Sequence, residues 1–244
     1  MQKRGVLIGA GALVTVLLTV GAWFAPVPYV VRQPGPVLDV LSPTVITVTG
    51  ADVSASTGKL LLTTVEIVDG IDTATAARTW FEDRDALIPR EAIFPAGQST
   101  EQVLQANQAL FTTSETTAID VALGKVGRPT GVRVTIDVKE VGGPSAGLML
   151  TLGIIDKLTP ADLTGGHTIA GTGQVTADGA VGPIGGIPQK LHGADVDYFL
   201  VPADNCAEAV GAVPPGLTLA RVATVDDALL ALKTIAAGAQ PATC

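Results

Sequence analysis

Gly143-Pro144-Ser145-Ala146-Gly147 opens the apolar run Leu148-Met149-Leu150-Thr151-Leu152-Gly153-Ile154-Ile155, and Lys190 follows the serine by 45 residues, in Ile184-Gly185-Gly186-Ile187-Pro188-Gln189-Lys190. Pro144 suits the first turn of a helix, and Leu148, Leu150, Leu152, Ile154, Ile155 and Leu158 predict that this helix is largely buried. Ser145 is thereby placed at a helix N-terminus. The turn Gly143, Pro144 and Ala146 would place free backbone N–H groups near Ser145 at the positive dipole end of the helix, which favours a developing oxyanion there. A serine hydroxyl is a weak nucleophile until a base takes its proton, and a lysine can be that base when burial lowers the pKa of its ammonium.

Residues 131–138 alternate Val132, Val134, Ile136 and Val138 with polar residues, which predicts a strand with one buried face. It leads directly to the serine. Upstream, residues 29–38 read as an extended segment punctuated by Pro34-Gly35-Pro36, and residues 45–48 and 60–65 read as β-strands. Residues 75–87 have helical character. A second helix begins at Ser99, which forms an S-x-x-Q capping box with Gln102, and a further helical stretch covers residues 114–123. Downstream, residues 168–170, 173–176, 198–201 and 217–222 are strand candidates, and residues 205–210 and 224–237 read as helices. The expected class is α+β, or α/β-like, with short Gly-rich connections.

Charged residues make up 16% of the 244 and hydrophobic ones 47%, a folded composition. The net charge of −8, with no basic cluster beyond Lys3-Arg4, excludes nucleic acid as an expected partner. His167 and His192 have no Cys or carboxylate at ligand spacing, so no metal is expected. Gly171-Thr172-Gly173 lacks the third glycine of a dinucleotide loop. No G-x-x-x-x-G-K-[ST] loop occurs, since Gly58-Lys59 and Gly124-Lys125 are followed by Leu and Val, so no ATP-driven step and no cofactor is expected.

Residues 1–4 carry two positive charges and residues 5–25 carry none, a run long enough to cross a bilayer as a helix. Trp23-Phe24 and Pro26-Val27-Pro28-Tyr29 supply interfacial aromatics and a rigid exit. The expectation is a single transmembrane anchor over residues 5–25, with residues 1–4 as a cytoplasmic tip and everything past about residue 28 outside. The alternative is a cleaved signal peptide, for which no clear small-x-small site lies at the end of the run. In an oxidising compartment Cys206 and Cys244 are permitted to pair; the alternative is two free buried thiols.

Gly143-Pro144-Ser145-Ala146-Gly147, Ala170-Gly171-Thr172-Gly173-Gln174, the run Asp178-Gly179-Ala180-Val181-Gly182-Pro183-Ile184-Gly185-Gly186-Ile187, and Lys190 together resemble the proteolytic domain of Lon-type Ser-Lys peptidases, in order and in separation. The resemblance extends over residues 29–239, leaving residues 240–244 as a tail. With the N-terminal run, Leu158-Thr159-Pro160-Ala161-Asp162-Leu163-Thr164 and Val201-Pro202-Ala203-Asp204-Asn205-Cys206 are similar to bacterial membrane-anchored Lon-like peptidases that carry a PDZ domain. Two departures stand out. The PDZ module expected near residues 127–128 is absent, because Gly127 runs almost directly into Arg128-Pro129-Thr130-Gly131. Gly142 also stands where many relatives place an acid three residues before the serine; Glu140 is nearby, and no acidic partner is carried over.

What the resemblance implies is a membrane-anchored, ATP-independent serine endopeptidase on the extracytoplasmic side of a bacterial cell membrane, acting on exported or unfolded polypeptides. Ser145 would attack the scissile carbonyl, Lys190 would take the proton, and Thr172 would orient the lysine by a hydrogen bond. Lon-type domains assemble as rings, so a homo-oligomer is implied as well. The alternative is a catalytically silent Lon-fold scaffold or holdase that binds peptides at the membrane. An S-x-x-K acyl-transfer enzyme is disfavoured, because the third residue after Ser145 is Leu148.

Overall fold

The structure is a computed structural model that describes residues 2–139 and 141–244, with the side chains of residues 2–6 and 8 outside the description. Glu140 and the side chains of Lys3 and Arg4 therefore lie outside the described residues. In chain order the elements are α1 (Gln2–Trp23), β1 (Tyr29–Asp39), β2 (Ile46–Thr49), β3 (Lys59–Val68), α2 (Thr73–Thr79), β4 (Ala86–Pro89), α3 (Arg90–Ile93), α4 (Thr100–Lys125), β5 (Arg133–Ile136) and α5 (Gly147–Leu158). They continue as β6 (Thr168–Gly171), β7 (Gln174–Val175), β8 (Val181–Gly182), α6 (Ile187–Gly193), β9 (Tyr198–Pro202), α7 (Cys206–Val210), β10 (Thr218–Val222) and α8 (Val225–Ala236). The chain divides into two compact units: Met1–Gln33 with Glu66–Gln98, and Pro34–Val65 with Ser99–Cys244.

In the smaller unit the side chains of α1 are exposed from residue 9 onward. Residues 5–25, expected to span a membrane, coincide largely with this helix. Among the described residues, however, no helix is long and apolar enough to cross one. Thr73 ties the start of α2 to the end of α1, its N–H and Oγ1 both donating to the Ala25 carbonyl at 3.0 and 3.1 Å. Asp72 caps α2 by accepting from the Thr75 N–H at 2.8 Å. The single helix expected over residues 75–87 is not formed: α2 stops at Thr79, and Ala86–Pro89 pairs as β4 antiparallel to the start of β1, Val31 opposite Leu87. A short apolar run such as Ala86-Leu87-Ile88 is compatible with either state, and pairing with β1 decides it.

The larger unit is a mixed α/β layer structure. Its strands lie in the order β10-β9-β6-β3-β1, and β3, β6, β9 and β10 are paired parallel, with Leu62 opposite Gly171 and Gly171 opposite Leu200. Every residue of α5 from Gly147 to Lys157 is buried, as expected for a helix apolar on all sides. Its polar end is satisfied: Ser56 Oγ donates to Asp156 at 2.5 Å and Lys157 Nζ donates to the Leu41 carbonyl at 2.7 Å. Without those partners a buried charge would cost several kcal/mol, on the order of 3–5. β5 pairs antiparallel with β2 in a separate ribbon, its valine-isoleucine face half buried.

Two helices expected upstream of the serine, one from Ser99 and one over residues 114–123, are one unbroken 26-residue helix, α4. The Ser99–Gln102 capping box starts it. The intervening threonines do not break it, because Thr113, Thr116 and Thr117 each turn their hydroxyl back onto the carbonyl four residues earlier. Ser114 does not cap either, since it faces the buried side with Phe111, Ala118 and Val121.

Cys206, at the start of α7, and Cys244 form a disulfide with Cα atoms 5.2 Å apart, and the Arg221 N–H donates to the Ala242 carbonyl at 2.8 Å, laying the tail beside β10. Closing a 38-residue separation contributes about 3–4 kcal/mol by restricting the unfolded chain. Reduction should lower the urea midpoint accordingly and leave both thiols open to alkylation. Equal stability with and without reductant would overturn this.

Candidate active site

Ser145 lies in a short 3-10 turn, Pro144–Ala146, that continues into α5. The turn is entered through Gly143 at φ +80° and ψ 167°, a conformation L side chains rarely adopt, which is why glycine stands there. Three anchors hold the turn. The Gly143 N–H donates to the Asn107 carbonyl at 2.8 Å, Ser114 Oγ donates to the Pro144 carbonyl at 3.0 Å, and the Gly173 N–H donates to the Ser145 carbonyl at 3.0 Å. Ser145 itself is half buried. The N–H groups of Ser145 and Ala146 belong to a first helical turn, where no preceding helical carbonyl is in position to accept from them.

Lys190 comes from α6, a helix begun by Gly186 in the left-handed region and Pro188 in its first turn. It is 2% exposed, between the fully buried Ile187 and Leu191. Its Nζ donates to the Thr63 carbonyl at 2.6 Å and lies 3.1 Å from Ser145 Oγ. Burial disfavours the ammonium and brings its pKa down from 10.5 to about 7. A neutral amine keeps its lone pair for the serine proton, while one of its own hydrogens stays on Thr63. Among the described residues no carboxylate hydrogen-bonds either member of the pair.

Thr172 is fully buried, and its hydrogen bond differs from the one expected. Oγ1 donates to the Ser145 carbonyl at 3.1 Å rather than engaging Lys190. Thr172 follows β6 at Gly171, whose Cα faces Met149 Sδ and Leu200 so closely that an added Cβ would lie 2.7 and 2.9 Å from them. The threonine engages the Ser145 main chain, and the lysine donates to the carbonyl of Thr63 on β3 instead. Thr63 is not legible in the sequence, because it acts through a main-chain carbonyl that any residue would supply. Ser114 carries a signal in its position on the buried stripe of α4, where a polar residue requires a partner.

His167 packs edge-on against Tyr198 with ring centroids 5.6 Å apart, in a polar recess with Asp195 and Asp197 that contains neither Ser145 nor Lys190. Among the described residues no three His, Cys, Asp or Glu side chains are grouped to hold a metal ion.

Residues 132–233 match the family described as the Lon protease (S16) C-terminal proteolytic domain. The chain is 39% identical over 93 residues to the Lon protease of Azospirillum brasilense and 38% identical over 93 residues to that of Clostridium beijerinckii, in each case covering 36% of this chain and 11% of the relative. Lon protease 1 of Sorangium cellulosum is 37% identical over 93 residues, with the same coverage. The chain thus spans about 11% of the length of these curated relatives.

Proposed function

We propose, from the premise that residues 132–233 form a Lon-type (S16) serine peptidase domain, that this chain hydrolyses peptide bonds in unfolded polypeptides through a Ser145–Lys190 dyad. The observation that carries the reading is the 3.1 Å approach of a fully buried lysine Nζ to a half-buried serine Oγ at a helix N-terminus. Ser145 Oγ attacks the scissile carbonyl carbon as Lys190 takes its proton, and the N–H groups around Ser145 and Ala146 stabilise the oxyanion. Lys190 then returns the proton to the leaving amine. Water, deprotonated by the same amine, then attacks the acyl carbonyl, and Lys190 returns that proton to Ser145 Oγ as the acid departs.

Cleavage on this reading proceeds without ATP hydrolysis by these residues. We further read residues 5–25 as a membrane anchor on their uncharged sequence, although no helix among the described residues is long and apolar enough to cross a membrane, with the peptidase domain on the extracytoplasmic side of a bacterial membrane. Support comes from the uncharged run over residues 5–25, the Lys3-Arg4 pair before it, the exposure of Leu13, Leu17 and Leu18, and a disulfide suited to an oxidising compartment. Ring assembly is part of the same proposal.

A fluorophosphonate probe followed by peptide mapping should label Ser145 alone among the serines, and the unlabelled protein should degrade an unfolded polypeptide. Binding of that polypeptide with neither labelling nor cleavage would make the chain a scaffold and overturn the proposal.

A further inference from the structure

Many of the exposed large apolar side chains belong to α1, but the two most exposed aromatic residues do not. Trp80 is 76% and Phe81 85% exposed, at the C-terminal end of α2. Two adjacent bulky aromatics in water cost free energy unless something covers them. They are not on a loose loop. The Trp80 N–H donates to Ala76, Phe81 to Arg78 and Glu82 to Thr79, all at 3.0–3.1 Å, and Ala74 and Thr79 of the same helix are buried. The corner is therefore a fixed projection.

Its position in the smaller unit says what it meets. The two bonds from Thr73 to the Ala25 carbonyl, and the Val27 N–H donating to the Ile71 carbonyl at 3.1 Å, join α2 to the point where the chain leaves α1. Seven helical residues rise about 10 Å, so Trp80 is within about two helical turns of that exit. At the exit itself stand Trp23 and Phe24, 48% and 66% exposed. Tryptophan with a second aromatic at the end of an apolar helix is the chemistry of the bilayer interface, where an amphipathic ring sits among headgroups. The residues that follow, Glu82, Asp83, Arg84 and Asp85, carry more negative than positive charge, which favours a zwitterionic over an anionic surface.

We propose that the Trp80–Phe81 corner is a second membrane contact, seated in the interfacial layer of a zwitterionic bilayer beside the exit of α1. This rests on the anchor reading above and adds to it a fixed orientation of the smaller unit against the lipid, since one helix alone leaves that unit free to swivel.

The test uses the full chain carrying Trp23→Phe, so that Trp80 is the sole tryptophan, reconstituted into phosphatidylcholine vesicles and recovered by flotation. Trp80 emission should shift to the blue relative to detergent-free unfolded protein. It should lose most of its intensity when the lipid is brominated near the head of the acyl chain and less when brominated near the tail, and adding anionic lipid should not deepen the loss. Protein that floats while Trp80 remains water-like and open to aqueous iodide would overturn the inference and leave the anchor standing. A blue shift without quenching by brominated lipid would assign the corner to a protein partner or a second copy and overturn it equally. Failure to float would overturn both readings.

Discussion

Ser145→Ala and Lys190→Ala should each reduce peptide turnover by roughly 10³-fold or more, and the double variant should be hardly worse than either single one. The reason is geometric. Lys190 Nζ is 3.1 Å from Ser145 Oγ, and among the described residues no other basic side chain hydrogen-bonds the hydroxyl, so the two act as one unit. Thr172→Ala should cost much less, on the order of 10-fold, because the Gly173 N–H continues to hold the Ser145 carbonyl once the threonine hydroxyl is gone. The measurement is steady-state cleavage of a short fluorogenic peptide, with far-UV circular dichroism to show that the fold is kept. Full turnover by Lys190→Ala, against a Ser145→Ala blank that excludes contaminants, would sink the dyad.

Which parts of this arrangement were readable from residues alone follows from where the determining interactions are carried. Ser99 with Gln102 predicts a helix start that the structure shows, because a capping box is written within four consecutive residues. Thr224 likewise caps α8, accepting from the Asp227 N–H at 3.0 Å. Gly143-Pro144-Ser145 is readable for the same reason, since a helix-opening proline and the candidate serine are neighbours in sequence. The continuity of α4 through residues 110–114 is not, since whether a threonine hydroxyl caps or bonds back depends on what the helix packs against. Nor is the support of the lysine. Thr63 on β3 meets Lys190 on α6 across 127 residues of sequence, through a backbone carbonyl that any residue would supply. The resemblance places Thr172 at the lysine, but a hydroxyl between two such residues can serve either, and it donates to the Ser145 carbonyl.

On the proposed reading Lys190 is the base, and the same burial makes it a burden on the fold, so Lys190→Met should be inactive yet more stable than the native chain at pH 7, by about 1–4 kcal/mol. The sign follows from proton counts. With a folded pKa of about 7 and an unfolded value of 10.5, the unfolded chain binds one more proton than the folded one throughout the interval between them. Stability from this group accordingly rises as pH increases from about 7 towards 10.5, and below 7 the penalty is full and constant. Methionine has no proton to bind and removes that slope. Some of the gain is offset because the Thr63 carbonyl loses its donor, at a cost of about 1–3 kcal/mol. Activity must follow the folded value: peptide turnover should climb through pH 7 as the amine becomes neutral and level off above it, far below the range of an exposed lysine. Urea unfolding of both proteins at pH 7 and pH 10, beside a pH–rate profile of the native chain, measures both halves. A Lys190→Met variant whose advantage does not shrink between those two pH values would show that the lysine is not buried as a neutral amine, and an activity limb centred near 10 would say the same of the working enzyme.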